Sequence, residues 1–445
     1  MNSQPAAVSE VEREKWRFIA FFLVVDALQI AFVSILTVDS SNLFIVGLDF
    51  SRPNPLVSGG MFVAIALVQL VVLYYVALST IGRPNVLQIW PTTSHSSRWT
   101  CRHTRDNIVK WTLELASQSG VEVDRIYLLD SPFPNAFTFS LPFVGTIVVL
   151  HNNILSLLNP SEVRAVIAHE VAHIKNRDSV IQILTQMPEF FVQVVYLYIY
   201  ARILLGVVDA LLVSFNPLLA VLRGLVLVGF YALSRMLLYL GTLLVRRASR
   251  AAELLADYHA ATMLGPTDTV NALLRLGQRI EALYALIEET RWLDSLNETG
   301  VMPLTKEEID VLVLSLGPDE LDDRVARVKA PHIFLQNRLR ILRDVYGLSL
   351  SDDDILRIVR PAAVELVRAR VRESSKDAGK KIDWREADRD GDARLSAGEL
   401  RLLVDALRRD PTKMLFDNES GRNVLVLDHP DFRSRVLFLA DVFGI

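Results

Sequence analysis

Four apolar stretches, 18–36, 61–81, 190–208 and 218–245, set the first limit on what this chain can fold into. A helix needs about 20 apolar residues to cross the hydrocarbon of a bilayer. Within lipid only helices and closed barrels satisfy the backbone. The first two runs have that length and are predicted to be transmembrane helices. Asp26 and Gln29 interrupt the first one, and such groups must face another helix or a polar cavity. That run exceeds a signal-peptide core, and its N-terminal flank mixes acids and bases, so it reads as a retained anchor. The third and fourth runs contain Arg202, Arg223 and Arg235. For them two readings stand side by side, membrane spans or a pair of buried or interfacial helices.

Positive charge sorts consistently with four spans. Arg13, Lys15 and Arg17 precede the first run, and only Arg52 lies in its outer loop. Arg83, Arg98, Arg102 and Arg105 follow the second run, while Arg246, Arg247 and Arg250 follow the fourth. The positive-inside rule then places both termini and the large polar regions in the cytoplasm of a multi-pass protein of the cell or inner membrane.

The rest of the composition fits a chain that is part membrane and part aqueous. Of 445 residues, 51% are hydrophobic and 22% charged, and mean hydropathy is +0.30. That length implies more than one compact unit. A net charge of −4 gives no support to a nucleic-acid partner. Cys101 is the only cysteine, so neither an internal disulfide nor a thiolate zinc cluster can form. Any metal must take His, Asp or Glu ligands.

Ahead of the third run the pattern turns aqueous. Ile108, Trp111 and Leu115 recur at helical spacing across 103–119, with Gly120 as a stop. Residues 125–129 and 146–150 read as strands, and 131–137, broken by prolines, as an extended or turn-rich edge. A small sheet of three or four strands is expected.

Residues 161–173 begin with a helix cap after Pro160 and continue at helical spacing into His169-Glu170-Val-Ala-His173. Histidines four apart share a helical face, so both imidazoles reach one Zn²⁺. Glu170 can approach a zinc-bound water, take its proton and pass it to a leaving amine. Such a catalytic site needs a third protein ligand and an open position. Glu253, after the fourth apolar run, is the best candidate. Asp257, one turn on, is placed to orient a ligand histidine. His259 is a rival ligand, off the face shared by Glu253 and Asp257.

These blocks resemble the HtpX-type family of membrane zinc endopeptidases, relatives of the CAAX prenyl protease. The matching residues are Pro134-Asn-Ala-Phe137, the strand at 146–150, His169-Glu-Val-Ala-His-Ile-Lys-Asn-Arg-Asp178 and Ser249-Arg-Ala-Ala-Glu-Leu-Leu-Ala-Asp257. The two apolar helices between the second and third blocks match as well. The resemblance implies His169, His173 and Glu253 as zinc ligands, Glu170 as general base and acid, and Asp257 behind a ligand. It implies that Asn135, Ala136 and Phe137 border the cleft, where a peptide adds as a β-strand. The implied substrates are membrane proteins, above all misfolded ones, cut on the cytoplasmic side.

That family usually closes with a His-Pro element and an arginine six residues after the histidine, and two segments here are candidates. One runs from His332 to Arg338 and ends at Gly347; the other runs from His429 to Arg435 and ends at Gly444. The histidine could donate to an oxyanion and the arginine could pair with Asp257. His429 keeps the His-Pro order, whereas His332 is nearer in sequence to the catalytic core and is favoured on position.

An element foreign to that family follows. Residues 388–399 match the EF-hand loop: Asp388, Asp390 and Asp392 offer side-chain oxygens, Arg394 a backbone carbonyl, Ser396 a water, and Glu399 two closing oxygens. Ala393 stands where glycine is expected, which weakens Ca²⁺ binding because the position needs φ above zero. The companion loop usual in EF-hands is expected from a second chain or from a degenerate partner in 350–380.

The expected fold is mainly α, with multi-pass membrane helices, a gluzincin-type α+β zinc peptidase domain carrying a small sheet, and a C-terminal helical EF-hand-like module. Along the chain this gives an anchor at 1–84, the first half of the peptidase domain at 85–180 and two further membrane helices at 181–247. The second half of the peptidase domain follows at 248–347, the helical module at 348–428 and the last helix at 429–445. The expected function is a membrane-anchored zinc endopeptidase, possible calcium control included, with Zn²⁺ and Ca²⁺ as cofactors and protein substrates and the bilayer as partners. The alternatives are a prenyl-protein protease and a non-catalytic, calcium-responsive membrane adaptor that has kept a zinc site.

Overall fold

The computed structural model describes residues 5–34, 36–38, 46–48, 55–91, 102–131, 133–141, 144–295, 323–374, 381–416 and 430–445. The chain divides into two compact units. One comprises Met1–Arg83, Ser140–Val144 and Asn176–Glu253; the other comprises Pro84–Phe139, Gly145–Lys175 and Leu254–Ile445.

In the first unit, helices form at each of the apolar runs. They are α1 (Ala6–Ser34), α2 (Pro55–Ile81), α6 (Asp178–Leu212) and the first part of α7 (Pro217–Leu264). α1 packs on α2 and α6. A short antiparallel pair, β1 (Leu36–Val38) and β2 (Val46–Leu48), lies between α1 and α2 in sequence. Among the described residues one stretch is long and apolar enough to cross a membrane, Pro217–Met236, and only 11% of it is buried. Leu67–Ile81 is apolar but shorter. That stretch belongs to the fourth run; the side chains of much of the first run and of parts of the second and third lie outside the described residues, and the spans expected there with them.

In the α6–α7 hairpin Arg202 is buried and lies over the Tyr198 ring at 5.9 Å, and Arg235 lies over Tyr231 at 5.9 Å. Arg223 donates to the Gly206 carbonyl and reaches Asp209 Oδ2 at 3.4 Å. These arginines have partners inside the hairpin, which is how a cation near lipid is accommodated. Lys15, in the first half of α1, is likewise buried and pairs with Asp178 at the start of α6.

The second unit is built on a four-stranded sheet in the order β3-β4-β6-β5. Its strands are β3 (Val86–Trp90), β4 (Arg125–Leu129), β5 (Ala136–Leu141) and β6 (Gly145–His151). β3 runs antiparallel to β4, which pairs in parallel with β6 through Arg125↔Ile147 to Leu129↔His151. β5 is an outermost strand and begins inside the segment expected to be an extended edge. β3 went unread because Gln88 interrupts a short run flanked by prolines at 84 and 91.

α3 (Arg105–Ser119) starts at Thr104, whose side chain accepts from the Asn107 N–H, and ends at Gly120 with φ 73°. That left-handed stop suits glycine. Ile108 and Leu115 from α3, Ile126 and Leu128 from β4, and Val148 and Leu150 from β6 form one core with Val163, Ile167 and Val171 of α5 (Pro160–Lys175). The α5 residues recur every four, so one face of the helix is fixed to the sheet. A short α4 (Asn152–Leu157) joins β6 to α5.

Beyond α7 the chain forms α8 (Pro266–Ser295), α9 (Asp323–Tyr346), α10 (Asp352–Ser374), α11 (Ala397–Arg409) and α12 (Phe432–Phe443). Leu400, Leu403, Val404 and Leu407 of α11 share a core with Val436 and Leu439 of α12 and with Val270, Leu273 and Leu274 of α8. Phe416 closes this core against Gly277 of α8, where a Cβ would come within 2.2 Å of its ring. Residues 384–416 of the segment expected to be a helical module thus share a core with α8 and α12. Ahead of the acidic loop there is a 3₁₀ turn, Trp384–Glu386, in place of the entering helix of an EF-hand. The helix carrying His332 starts at Asp323, earlier than its histidine, with Pro331 inside it.

Candidate metal centre

α5 opens with Pro160 in its first turn, a position where the missing N–H costs nothing. Glu162, not Ser161, serves the helix start, its Oε2 accepting the Asn159 N–H at 2.9 Å. Ser161 Oγ instead donates to Asp268 Oδ1 at 3.1 Å.

Farther along α5, His169 and His173 bring their Nε2 atoms to 3.1 Å from each other. Two imidazoles on one tetrahedral Zn²⁺ place their nitrogens about 3.3 Å apart. Glu253 of α7 adds a carboxylate oxygen, and the three ligand atoms lie within 4.8 Å of one another. Glu170 and Glu253 are both buried. Two neutral nitrogens and one carboxylate fit a catalytic zinc better than a harder cation, which prefers an all-oxygen shell.

The histidine is oriented from behind. His169 Nδ1 lies 2.9 Å from Asp257 Oδ1, a contact with a carboxylate that favours the proton on Nδ1 and leaves the Nε2 lone pair for a metal. Asp257 is gripped in turn by Arg435 of α12, with Nε to Oδ2 and Nη2 to Oδ1 both at 2.6 Å. Burial alone would raise the Asp257 pKa. The Arg435 charge and hydrogen bonds, helped by His169, hold it below the ordinary 3.8.

One of the two C-terminal candidates makes this pairing. Arg435 meets Asp257, whereas Arg338 lies over the Phe334 ring at 5.6 Å within α9. His332, favoured on sequence position, is half-buried in α9 and outside the metal-ligand group. Arg435 reaches Asp257 because α12 returns to the core after a long excursion. His429 lies outside the described residues.

His259 stands outside the group of His169, His173 and Glu253. Its Nε2 is 2.9 Å from Ser119 Oγ, and burial, then the charge of Lys175, lowers its pKa to about 4. Asn135 is exposed, and its Oδ1 accepts the Ala136 N–H at 3.0 Å. His151, which sequence reasoning passed over, fixes that segment. Its backbone N–H donates to Asn135 O at 3.0 Å and its Nδ1 to Phe133 O at 2.9 Å. Phe137 stacks with Phe139 at 6.4 Å and meets the edge of His151 at 6.1 Å.

The acidic loop folds on its own backbone. Asp388 accepts the N–H groups of Gly391 and Ala393 at 2.9 and 3.0 Å, Asp390 that of Asp392 at 3.2 Å, and Asp392 that of Arg394 at 2.7 Å. Asp388, Asp390 and Asp392 each bring one oxygen within 4.8 Å of the others. Ala393 has φ 61°, the left-handed conformation its position requires. Glu399 is outside that trio. Its carboxylate accepts the Ser396 N–H and hydroxyl and the Arg389 N–H, and these bonds hold its pKa down to about 2. Buried Asn271 of α8 accepts the Leu395 N–H at 2.8 Å and donates to the Leu395 carbonyl at 2.9 Å.

Comparison with known proteins gives a consistent family. The profile of peptidase family M48 matches residues 103–344. A protease HtpX homolog of Aeropyrum pernix is 31% identical over 244 residues, covering 53% of this chain and 73% of the relative. The protease HtpX of Shewanella pealeana is 30% identical over 199 residues, 41% of this chain and 67% of that protein. A homolog from Persephonella marina is 46% identical over 68 residues, 15% of this chain and 24% of the relative. No solved structure matches.

Proposed function

This chain belongs to peptidase family M48 and is a metallopeptidase, a hydrolase, and from that premise we propose a membrane-anchored zinc endopeptidase that cuts misfolded membrane proteins on the cytoplasmic side. The observation that carries the reading is the gathering of His169, His173 and Glu253, with Asp257 behind His169. Zinc bound there would acidify a water and polarise the scissile carbonyl.

The protein groups supply the rest. Glu170 accepts a proton on its carboxylate and returns it to the leaving amine nitrogen. Asp257, held ionised by Arg435, keeps the His169 Nδ1–H in place and so fixes the tautomer. His429, six residues before Arg435, is the candidate donor to the oxyanion. An extended substrate would pair with the edge of β5 beside Asn135, Ala136 and Phe137. The weakly buried stretch 217–236 supports membrane anchoring.

A detergent-solubilised preparation tests the substrate class. Cleavage of an unfolded membrane protein should stop with a zinc chelator and return with added Zn²⁺, while a prenylated C-terminal peptide should be left uncut. Preferential cleavage of the prenylated peptide would favour the prenyl-protease reading.

The Asp388–Glu399 loop is proposed to take Ca²⁺, with Asp388, Asp390, Asp392, the Arg394 carbonyl and Glu399 as ligands. The support is the sequence pattern together with the left-handed Ala393. Ala393→Gly relieves about 1 kcal/mol of backbone cost and should tighten Ca²⁺ binding about fivefold. Asp388→Ala should remove any Ca²⁺-dependent rise in Tm. Calorimetric titration checks both; identical Ca²⁺ responses in wild type and both variants would end the calcium reading.

A further inference from the structure

We propose that Arg394 is a positioning residue for the zinc helix, acting through Glu162 from a segment outside the 103–344 family match. Glu162 is fully buried in the first turn of α5. A carboxylate there is favoured by the helix dipole and by its bond to the Asn159 N–H. Burial at that depth still requires a cation, because an unpaired buried charge is strongly destabilising.

Two arginines converge on it. Arg394 Nε is 3.3 Å from Glu162 Oε1, and Arg275 Nε of α8 is 3.6 Å from the same oxygen. Both contacts are charge pairs rather than directed hydrogen bonds. Arg275 is shared, its Nη2 donating to the Ala393 carbonyl at 3.2 Å and its Nη1 to Leu157 O at 3.5 Å. Arg394 is the nearer cation. Its Nη2 also donates to Asp268 Oδ1 at 2.8 Å and to Ser161 Oγ at 3.3 Å, so one guanidinium spans the first turn of α5 and the start of α8.

The arginine is itself held rigidly. Its backbone N–H is bonded to Asp392 Oδ1 at 2.7 Å, and the next residue, Leu395, is held on both sides by Asn271. His169 follows Glu162 by seven residues, two turns or about 10 Å along the same helix. A helix transmits an axial shift along its length, and a metal site tolerates a misplacement of only about 0.5 Å. Arg394 therefore sets where the two histidines stand although it touches neither.

The inference rests on zinc being bound by His169 and His173. Its test is zinc release into excess chelator well below Tm, read beside kcat and KM, for Arg394→Ala, Glu162→Gln and the double variant. Wild type that holds no zinc would refute the zinc reading itself, whatever the variants do. With zinc in wild type, Arg394→Ala should release it roughly tenfold faster and lower kcat with KM unchanged. Adding Glu162→Gln should restore slow release, because a neutral amide still accepts the Asn159 N–H but needs no cation. Wild-type release in Arg394→Ala, or faster release that Glu162→Gln leaves uncorrected, overturns the proposal. If Arg394→Ala does not fold, the double variant decides: folded with slow zinc release supports the proposal, and unfolded or leaky contradicts it.

Discussion

Glu170→Gln is expected to keep its zinc and lose its peptidase activity. The amide is nearly isosteric and takes no part in the ligand group of His169, His173 and Glu253, so metal content should match wild type. The amide cannot accept a proton, and removing a general base costs about 10²–10⁴ in rate. The loss should fall on kcat, because the proton is taken only on the way to the transition state. Single-turnover cleavage of an unfolded protein, run beside elemental analysis, checks both halves. A variant that keeps its zinc and cuts at the wild-type rate would remove Glu170 from the mechanism and with it the base-assisted hydrolysis proposed here.

The second large effect concerns Arg435. It is the cationic half of a buried, bidentate pair with Asp257. Arg435→Ala leaves that carboxylate buried without its countercharge, which costs about 3–5 kcal/mol. Asp257 would then favour its protonated form and orient His169 less well, so zinc affinity should fall by about 10–100-fold. Chemical denaturation and a chelator titration read the two losses separately.

The same pair has a pH signature. The folded pKa of Asp257 lies below its ordinary 3.8, so its stabilising contribution is fully present above that value. It fades as pH falls from about 4 toward the folded pKa, and it does not change near neutrality. Wild type should therefore lose stability below about pH 4 more steeply than the Arg435→Ala variant.

Local signals carried much of this site in the sequence. His169, Glu170 and His173 share a helix, and Glu253 and Asp257 follow one another at a helical turn, so spacing alone placed each pair on a common face. α3 was legible from its helical spacing, and β4 and β6 as short β-branched or leucine-rich runs flanked by turn residues. Contacts made across long separations were not legible in this way. Asn271 satisfies Leu395, Arg394 meets Glu162, and Arg435 rather than Arg338 meets Asp257. The first two pairs have no period or motif to announce them, and for the third the His…Arg pattern offered two arginines without choosing between them.

Two further differences have the same origin. The acidic loop reads as part of an independent EF-hand, since its twelve residues are self-contained. Among the described residues a 3₁₀ turn, Trp384–Glu386, precedes it, Asn271 of α8 bonds its Leu395 on both sides, and its apolar residues share a core with that helix. The arginines of the α6–α7 hairpin argue against spans when counted singly, yet Arg223 has Asp209 and the Gly206 carbonyl within reach. Hydropathy weighs residues one at a time and cannot see such pairing.

The central claim is that His169, His173 and Glu253 hold one zinc ion. Its most direct measurement is the zinc content of the purified full chain, wild type beside Glu253→Ala, after dialysis against a weak chelator. The account predicts one zinc per chain in wild type and loss of most of it in the variant, with Tm falling toward that of the metal-free wild type. Equal zinc in both proteins, or a folded wild type that retains none, would contradict it.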